Sequence, residues 1–584
     1  MAKLNGGQLI ERVFEKEGVK YIFGIPGGHI YPMMESCDEN NIKFIGVRHE
    51  MNAAFMAEGW ALTTGDVGVC TGTAGPGFTN LITGVANASA NCVPLLCMGG
   101  KARVAEYDRN ELQDFNQIDI VKSMTKHSRS VLEGHRIPEY IGRAIAEATS
   151  DRPGPVYMEI PRNIMESDYD EESVEFQNTY RISGKPAGNP ADIAKAAALL
   201  DAAERPIIVA GSGAFWSGAA EELTAFVEKS GAPIFTRNAG RGIVPDSHPQ
   251  AIGIGASKHP IFAGVAQKAD VIVIVGTRTG YTMTRDVFPK TAKIIRIDIN
   301  AAVLADQLDV EVGIVGDCKE VLKQLTDTIT QKNREAWVNG INEAKNNLAQ
   351  MVLPMLTSDQ NPIHPVRLVF EIMQRVDENT IVVIDGGDTA SWGNLLIPAP
   401  GPGQYLTIAN GSFGPLGVGV PYAMAAKLAH PEKKVILLTG DGAFGYGAME
   451  YDTAMRYGIN FTTVILNDGC WGMIKRSEAK RSLAAGTNVE KDPVGLFLRE
   501  DVRYDQVVEA LGAHGEYVTE AAEIGAAIDR AIASNKPAVV NVKTDWICWI
   551  CFPLPASVLF RSDTNRVLLT WKMHMPESPA NAAL

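Results

Sequence analysis

Short apolar runs alternate with longer stretches of helical spacing along most of the chain. In residues 1–165 the runs 21–25, 93–98 and 156–160 have strand length, while 50–63 and 138–148 carry helical periodicity. This alternation predicts a parallel sheet covered by helices. Gly27-Gly28, Gly75-Pro76-Gly77 and Arg152-Pro153-Gly154-Pro155 supply turns. The acidic, polar stretch 166–189 reads as a linker. A second block, 190–330, repeats the rhythm with strands at 206–210, 233–236, 271–275 and 293–297. A charged helical segment, 331–350, leads to a third block, 360–545, with strands at 380–384, 435–439, 462–466 and 538–542. The predicted fold class is α/β: three doubly wound parallel-sheet domains followed by a tail, 546–584. In such domains ligands bind beyond the carboxyl ends of the strands, which directs the search for chemistry there.

At 584 residues the chain exceeds what one core supports, and 46% hydrophobic with 21% charged residues suits a globular protein. A net charge of -14 with no lysine or arginine run argues against a nucleic-acid partner. The amino terminus lacks the pattern of a signal peptide. The longest apolar stretch, 546–560, is shorter than a membrane span and is broken by Pro553 and Pro555, so no membrane is expected. Eight cysteines do not suggest a disulfide framework, and Cys548 and Cys551 form a C-x-x-C without a second pair. Reduced thiols in a cytoplasmic protein are the expectation.

The most informative chemistry lies in Gly440-Asp441-Gly442-Ala443 and, one helix and one strand later, Asn467-Asp468-Gly469. Two parallel neighbours would carry Asp441 and Asn467 at their carboxyl ends, where their oxygens can converge on one cation. Magnesium prefers such hard ligands and shares its shell with phosphate. Glycines beside Asp441 let backbone N–H groups approach a diphosphate at the following helix amino terminus. A lone Gly-Asp-Gly would be only a capped strand-to-helix turn; the second motif gives it a purpose. Far upstream, Arg48-His49-Glu50 opens a helix that continues to Ala57-Glu58-Gly59. By itself Glu50 would be a first-turn glutamate favoured by the helix dipole.

Together these motifs resemble the signature of thiamine-diphosphate enzymes, over roughly residues 7–545. The branch containing acetolactate synthase, benzaldehyde lyase, 2-hydroxyacyl-CoA lyase and oxalyl-CoA decarboxylase is the most similar. The resemblance makes the blocks a pyrimidine-binding, a middle and a diphosphate-binding domain. It implies that Asp441, Asn467 and the carbonyl of Gly469 hold Mg2+. It also implies that Glu50 hydrogen-bonds the aminopyrimidine and promotes loss of the thiazolium C2 proton. That job requires a carboxyl protonated near neutral pH, so Glu50 is expected to be desolvated with a raised pKa. Gly386, Asp388, Gly440, Gly442 and Ala443 would border the diphosphate. Gly414 would meet the pyrimidine amino group, and Leu416 would wedge under the bent cofactor. Gly469 and Met473 complete the expected cofactor contacts.

His29, after Gly27-Gly28, and Gln113, in Asn110–Gln117, are candidate substrate-facing groups; a turn histidine and a solvated loop glutamine are the competing readings. Trp471, Met473 and Glu478 are expected to shape an acceptor pocket. The middle block has Thr277-Arg278-Thr279-Gly280-Tyr281 where flavin-binding relatives carry Arg-Phe-Asp-Asp-Arg. Arg476-Ser477-Glu478 likewise replaces their Gln-Trp-Glu. The expectation is a protein that needs no FAD, whose middle domain is empty or holds an adenine nucleotide. Gly211-Ser212-Gly213 and Gly253-Ile254-Gly255 read equally as nucleotide loops or strand-ending turns.

The resemblance implies decarboxylation of a 2-oxo acid and ligation of the remainder to an aldehyde or ketone. The alternative is a non-decarboxylating lyase acting on a 2-hydroxy ketone or a 2-hydroxyacyl-CoA. It further implies a homodimer or homotetramer with active sites at the subunit interface. The tail is expected to be a lid or a packing segment.

Overall fold

The computed structural model describes residues 3–37, 41–181, 183–407, 412–484 and 495–545. The tail 546–584, with Cys548 and Cys551 and the expected lid, and Asn410 of the pyrimidine loop lie outside the described residues. Three six-stranded sheets account for the architecture, and every strand pair in them is parallel. The central strands are buried from end to end, as in Val271–Val275 and Thr380–Ile384, and are almost wholly apolar. Helices on both faces of each sheet explain this, since neither face meets water.

The first sheet contains Tyr21–Gly24, Lys43–Gly46, Gly68–Gly72, Leu95–Lys101, His127–Ser130 and Pro155–Pro161. Numbered along the chain, these lie in the spatial order 2-1-3-4-6-5. The third sheet contains Thr380–Ile384, Tyr405–Thr407, Lys434–Gly440, Thr462–Asn467, His514–Val518 and Ala538–Lys543, in the same order. The middle sheet, from Ile207–Ala210 to Val312–Val315, has the order 3-2-1-4-5-6, that of dinucleotide-binding folds.

In each outer domain one helix joins the second strand to the third: Glu50–Thr64 in the first and Gly419–Ala429 in the third. These two equivalent helices pack on each other. A Cβ at Gly59 would lie 2.9 Å from the Tyr422 Cα, so only glycine allows this approach. The Phe55 and Tyr422 rings meet edge to face at 6.4 Å.

The stretch read as a linker is partly structured: Asp168–Asp170 pairs antiparallel with Lys3–Asn5. The charged segment forms helix Glu335–Leu356, longer than its polar pattern predicted because its carboxyl-terminal turns bury Val352 and Leu356. No helix among the described residues is long and apolar enough to cross a membrane. The six cysteines among them are all free.

Candidate active site

Three of the singled-out side chains converge on the segment 73–80 of the first domain. Glu50 is the first residue of its helix and only 7% exposed, and the Asn80 Nδ2 donates to its Oε2 at 2.9 Å. Gly77 leaves room beside it, since a Cβ there would come within 3.4 Å of Oε1. His29 places Nδ1 3.1 Å from the Thr73 hydroxyl, and burial lowers its pKa, with Arg162 adding to the effect. Gln113 adopts a left-handed conformation (φ 64°) and folds over Gly75, where a Cβ would meet its own Cβ at 2.8 Å. Both competing readings for these two residues thus retain support: each side chain is half-buried against a turn.

The segment is fastened by Gln117, which its position in the sequence does not single out. Its Oε1 accepts from the Gly75 N–H at 3.1 Å. Its Nε2 donates to the Gly100 carbonyl, the Tyr157 hydroxyl and Glu159 at 3.0, 3.0 and 3.1 Å.

In the third domain Asp441 and Asn467 stand at the ends of the neighbouring parallel strands Lys434–Gly440 and Thr462–Asn467. Asp441 is 3% exposed, and its Oδ2 accepts from the Gly469 N–H at 3.0 Å. Burial, reinforced by Asp468, pushes its pKa well above the carboxylate range. Asn467 is 1% exposed, and its Nδ2 donates to Asn541 Oδ1 at 3.0 Å. Its Oδ1 has no hydrogen-bond partner among the described residues. A buried, unpaired amide oxygen beside a carboxylate fits a divalent cation, because an orphaned acceptor is otherwise costly. The carbonyl of Gly469 accepts from the Leu498 N–H at 2.7 Å, which occupies one of its two lone pairs.

Around this pair the backbone is close-fitting. Gly386 (φ 97°) and Gly440 both abut the Thr389 hydroxyl, and the Trp471 ring lies flush on Gly442. Ala443 is buried, while Met473 packs on Gly387 with part of its side chain exposed. Asp388 forms an ion pair with Arg476, and Glu478 one with Arg481 at 3.5 Å. Gly414 (φ 65°) has open space on its side-chain side, and Leu416 is half-buried. Asp385 anchors this loop: its Oδ2 accepts from Gly417 and Gly419 at 3.0 and 2.9 Å, and burial raises its pKa to about 6. No hydrogen bond or ion pair among the described residues joins Glu50 to Asp441 or Asn467.

A separate cavity opens at the switch point of the middle sheet, beyond the paired strands Ile207–Ala210 and Val271–Val275, between which the strand order reverses. Gly211 permits the close approach, since a Cβ there would sit 2.4 Å from the Thr277 Cβ. Ser212, Thr277, Arg278 and Asp298 line it from the middle domain, Asn91 and Arg152 from the first. Asn91 Oδ1 and Thr277 Oγ1 are buried without hydrogen-bond partners among the described residues.

Three family models match the chain. They are the thiamine pyrophosphate enzyme N-terminal TPP binding domain over residues 4–120, the central domain over 193–325 and the C-terminal TPP binding domain over 385–542. A probable acetolactate synthase of Mycobacterium bovis is 34% identical, covering 93% of this chain and 96% of its own. A probable acetolactate synthase large subunit of Methanocaldococcus jannaschii is 32% identical over 93% and 92%. A 2-hydroxyacyl-CoA lyase of Arabidopsis thaliana is 29% identical over 93% and 96%.

Proposed function

This chain belongs to the thiamine pyrophosphate enzymes, and from that premise we propose that it decarboxylates a 2-oxo acid and joins the remaining acyl fragment to a second carbonyl compound. The observation that carries the reading is the unpaired, buried Oδ1 of Asn467 beside Asp441, in a chain that also buries Glu50 against Asn80. The higher identity to acetolactate synthases than to the lyase supports the decarboxylating form.

When bound, thiamine diphosphate supplies a nucleophilic carbon and an electron sink next to the substrate carbonyl. Asp441 and Asn467, with the free lone pair of the Gly469 carbonyl, hold Mg2+ and through it the diphosphate. Backbone N–H groups around Gly386, Gly440 and Gly442 would meet the phosphates, glycines there allowing the chain to come close. Glu50, held away from water, hydrogen-bonds the aminopyrimidine, and the Asn80 amide, by donating to Oε2, leaves Oε1 for that contact. His29 and Gln113, braced against the segment that Gln117 fastens, orient the substrate carbonyl. Glu50 lacks contact with the metal pair in its own chain, which supports sites completed by a second copy in a homodimer or a dimer of dimers. The middle cavity takes an adenine nucleotide rather than flavin. The free cysteines among the described residues suit the reducing cytoplasm.

The test is product analysis with thiamine diphosphate and Mg2+ present. Pyruvate should yield carbon dioxide and a condensed hydroxy-oxo acid in equal amounts. Release of an aldehyde from a 2-hydroxyacyl-CoA, with no carbon dioxide from any 2-oxo acid, would establish the lyase instead.

A further inference from the structure

The third domain contributes to the first-domain half of the site through helix Glu450–Tyr457, which follows the Asp441 motif. Glu450 is 0% exposed. Its Oε1 accepts from the Arg48 N–H at 3.0 Å and from the Asn52 side-chain amide at 2.8 Å. Its Oε2 accepts from the same Arg48 N–H at 3.1 Å and from the Thr453 hydroxyl at 2.7 Å. One turn or two further along, the Gly46 N–H donates to the Tyr457 hydroxyl at 2.9 Å, and Arg456 donates to the Gly46 carbonyl at 2.6 Å. Residues 46–52 are therefore gripped at both ends, with Glu50 between.

We infer that this helix is a clamp that sets the position of Glu50, and that Glu450 is its positioning residue. The inference rests on the role proposed for Glu50 above. Each carboxylate oxygen of Glu450 accepts two of these contacts, which an apolar side chain of similar size cannot do. A leucine would leave the buried Arg48 N–H without an acceptor, whereas a glutamine is accommodated, because the Thr453 hydroxyl accepts as well as donates and the Asn52 Oδ1 is unpaired among the described residues. Because proton transfer tolerates little misplacement, a shift of residues 48–52 would reach the chemistry without touching any cofactor contact. The same chain segment that supplies Asp441 thus holds Glu50 still, although the two do not meet.

Glu450→Leu, which keeps the side chain's bulk but has no acceptor, separates this role from simple domain adhesion. In the cofactor-free full-length chain, amide hydrogen exchange over residues 46–52 should accelerate, with the Arg48 amide losing its protection. With thiamine diphosphate and Mg2+ bound, C2-proton exchange should slow by about 100-fold, while cofactor affinity stays at the wild-type value and Glu450→Gln restores the exchange rate. Asn52→Ala removes one donor and should give an intermediate loss of both; it covers the case in which Glu450→Leu does not fold. A folded Glu450→Leu with wild-type C2 exchange, or an Asn52→Ala with wild-type protection over 46–52, overturns the clamp. Glu50→Gln, run alongside, isolates the premise: wild-type C2 exchange in that variant defeats the role of Glu50 itself.

Discussion

Asn467 shows how one amide is made into a ligand by its surroundings. Its nitrogen is committed to Asn541, whose own Nδ2 donates to the Val502 carbonyl and to Asp505 at 3.1 and 3.2 Å. That chain fixes which end of the Asn467 amide is left free. Outer partners of this kind tune metal affinity, so Asn541→Ala is expected to weaken Mg2+ binding by about 10- to 100-fold. A magnesium titration of thiamine diphosphate binding, followed by tryptophan fluorescence, checks this; an unchanged midpoint would mean that Asn467 needs no such support. Asp441 and Asn467 were legible in the sequence because a strand, a helix and a strand place both at one sheet edge. Asn541, Gln117 and Glu450 were not, because their partners come from other elements, in the case of Glu450 some 400 residues away. What Asn80 and Asp385 hold is likewise shown only by contact geometry.

The seam between helices Glu50–Thr64 and Gly419–Ala429 encloses a carboxyl that the chemistry does not use. Glu58 accepts from Asn87 and Asn91 at 2.7 and 2.9 Å, yet burial raises its pKa to about 7. A pKa raised on folding means stability that is complete below the unfolded value and is lost as pH climbs to the folded one. The loss falls between about pH 4.5 and 7 and amounts to about 1.4 kcal/mol per pH unit there. Glu58→Gln should remove this slope, and the Asn91 amide, whose Oδ1 is unpaired, can turn to accept from the new NH2. Denaturant melts of both proteins from pH 5 to 8 decide the matter: parallel curves would refute it. At this scale most central strands were readable as apolar runs, but Gly68–Gly72, with glycines at both ends and Thr71 within, was not. His127–Ser130 and His514–Val518 were not, since edge strands meet water on one side and carry polar residues. The middle domain was recognised as α/β, but its strand order, which puts the cavity at the switch point, came only from the pairing.

For the molecule as a whole, the cavity and the absent flavin-type stretch predict a colourless purified protein whose melting temperature rises with added ADP. A stoichiometric flavin absorption band would contradict this. Exposed apolar side chains gather near the catalytic loops: Tyr31 and Leu112 in the first domain, Phe413, Tyr446, Met449 and Ile474 in the third. Such surface is a liability in a lone chain and material for an interface. Activity is accordingly expected to fall on dilution, in step with dissociation measured by light scattering; constant specific activity for dissociated chains would show that one chain suffices.

The outer domains are bound back to back by equivalent helices, and in the proposed dimer each chain then carries one half of two different workplaces. That arrangement has a genetic consequence. A Glu50→Gln chain and an Asp441→Ala chain, each inert alone, should complement when dissociated and reassembled together. Random pairing makes half the dimers mixed, and each mixed dimer unites its two intact halves at one of two sites. About a quarter of the normal activity should return. Two recessive lesions in one gene would then behave, in a merodiploid cell, as though they lay in two.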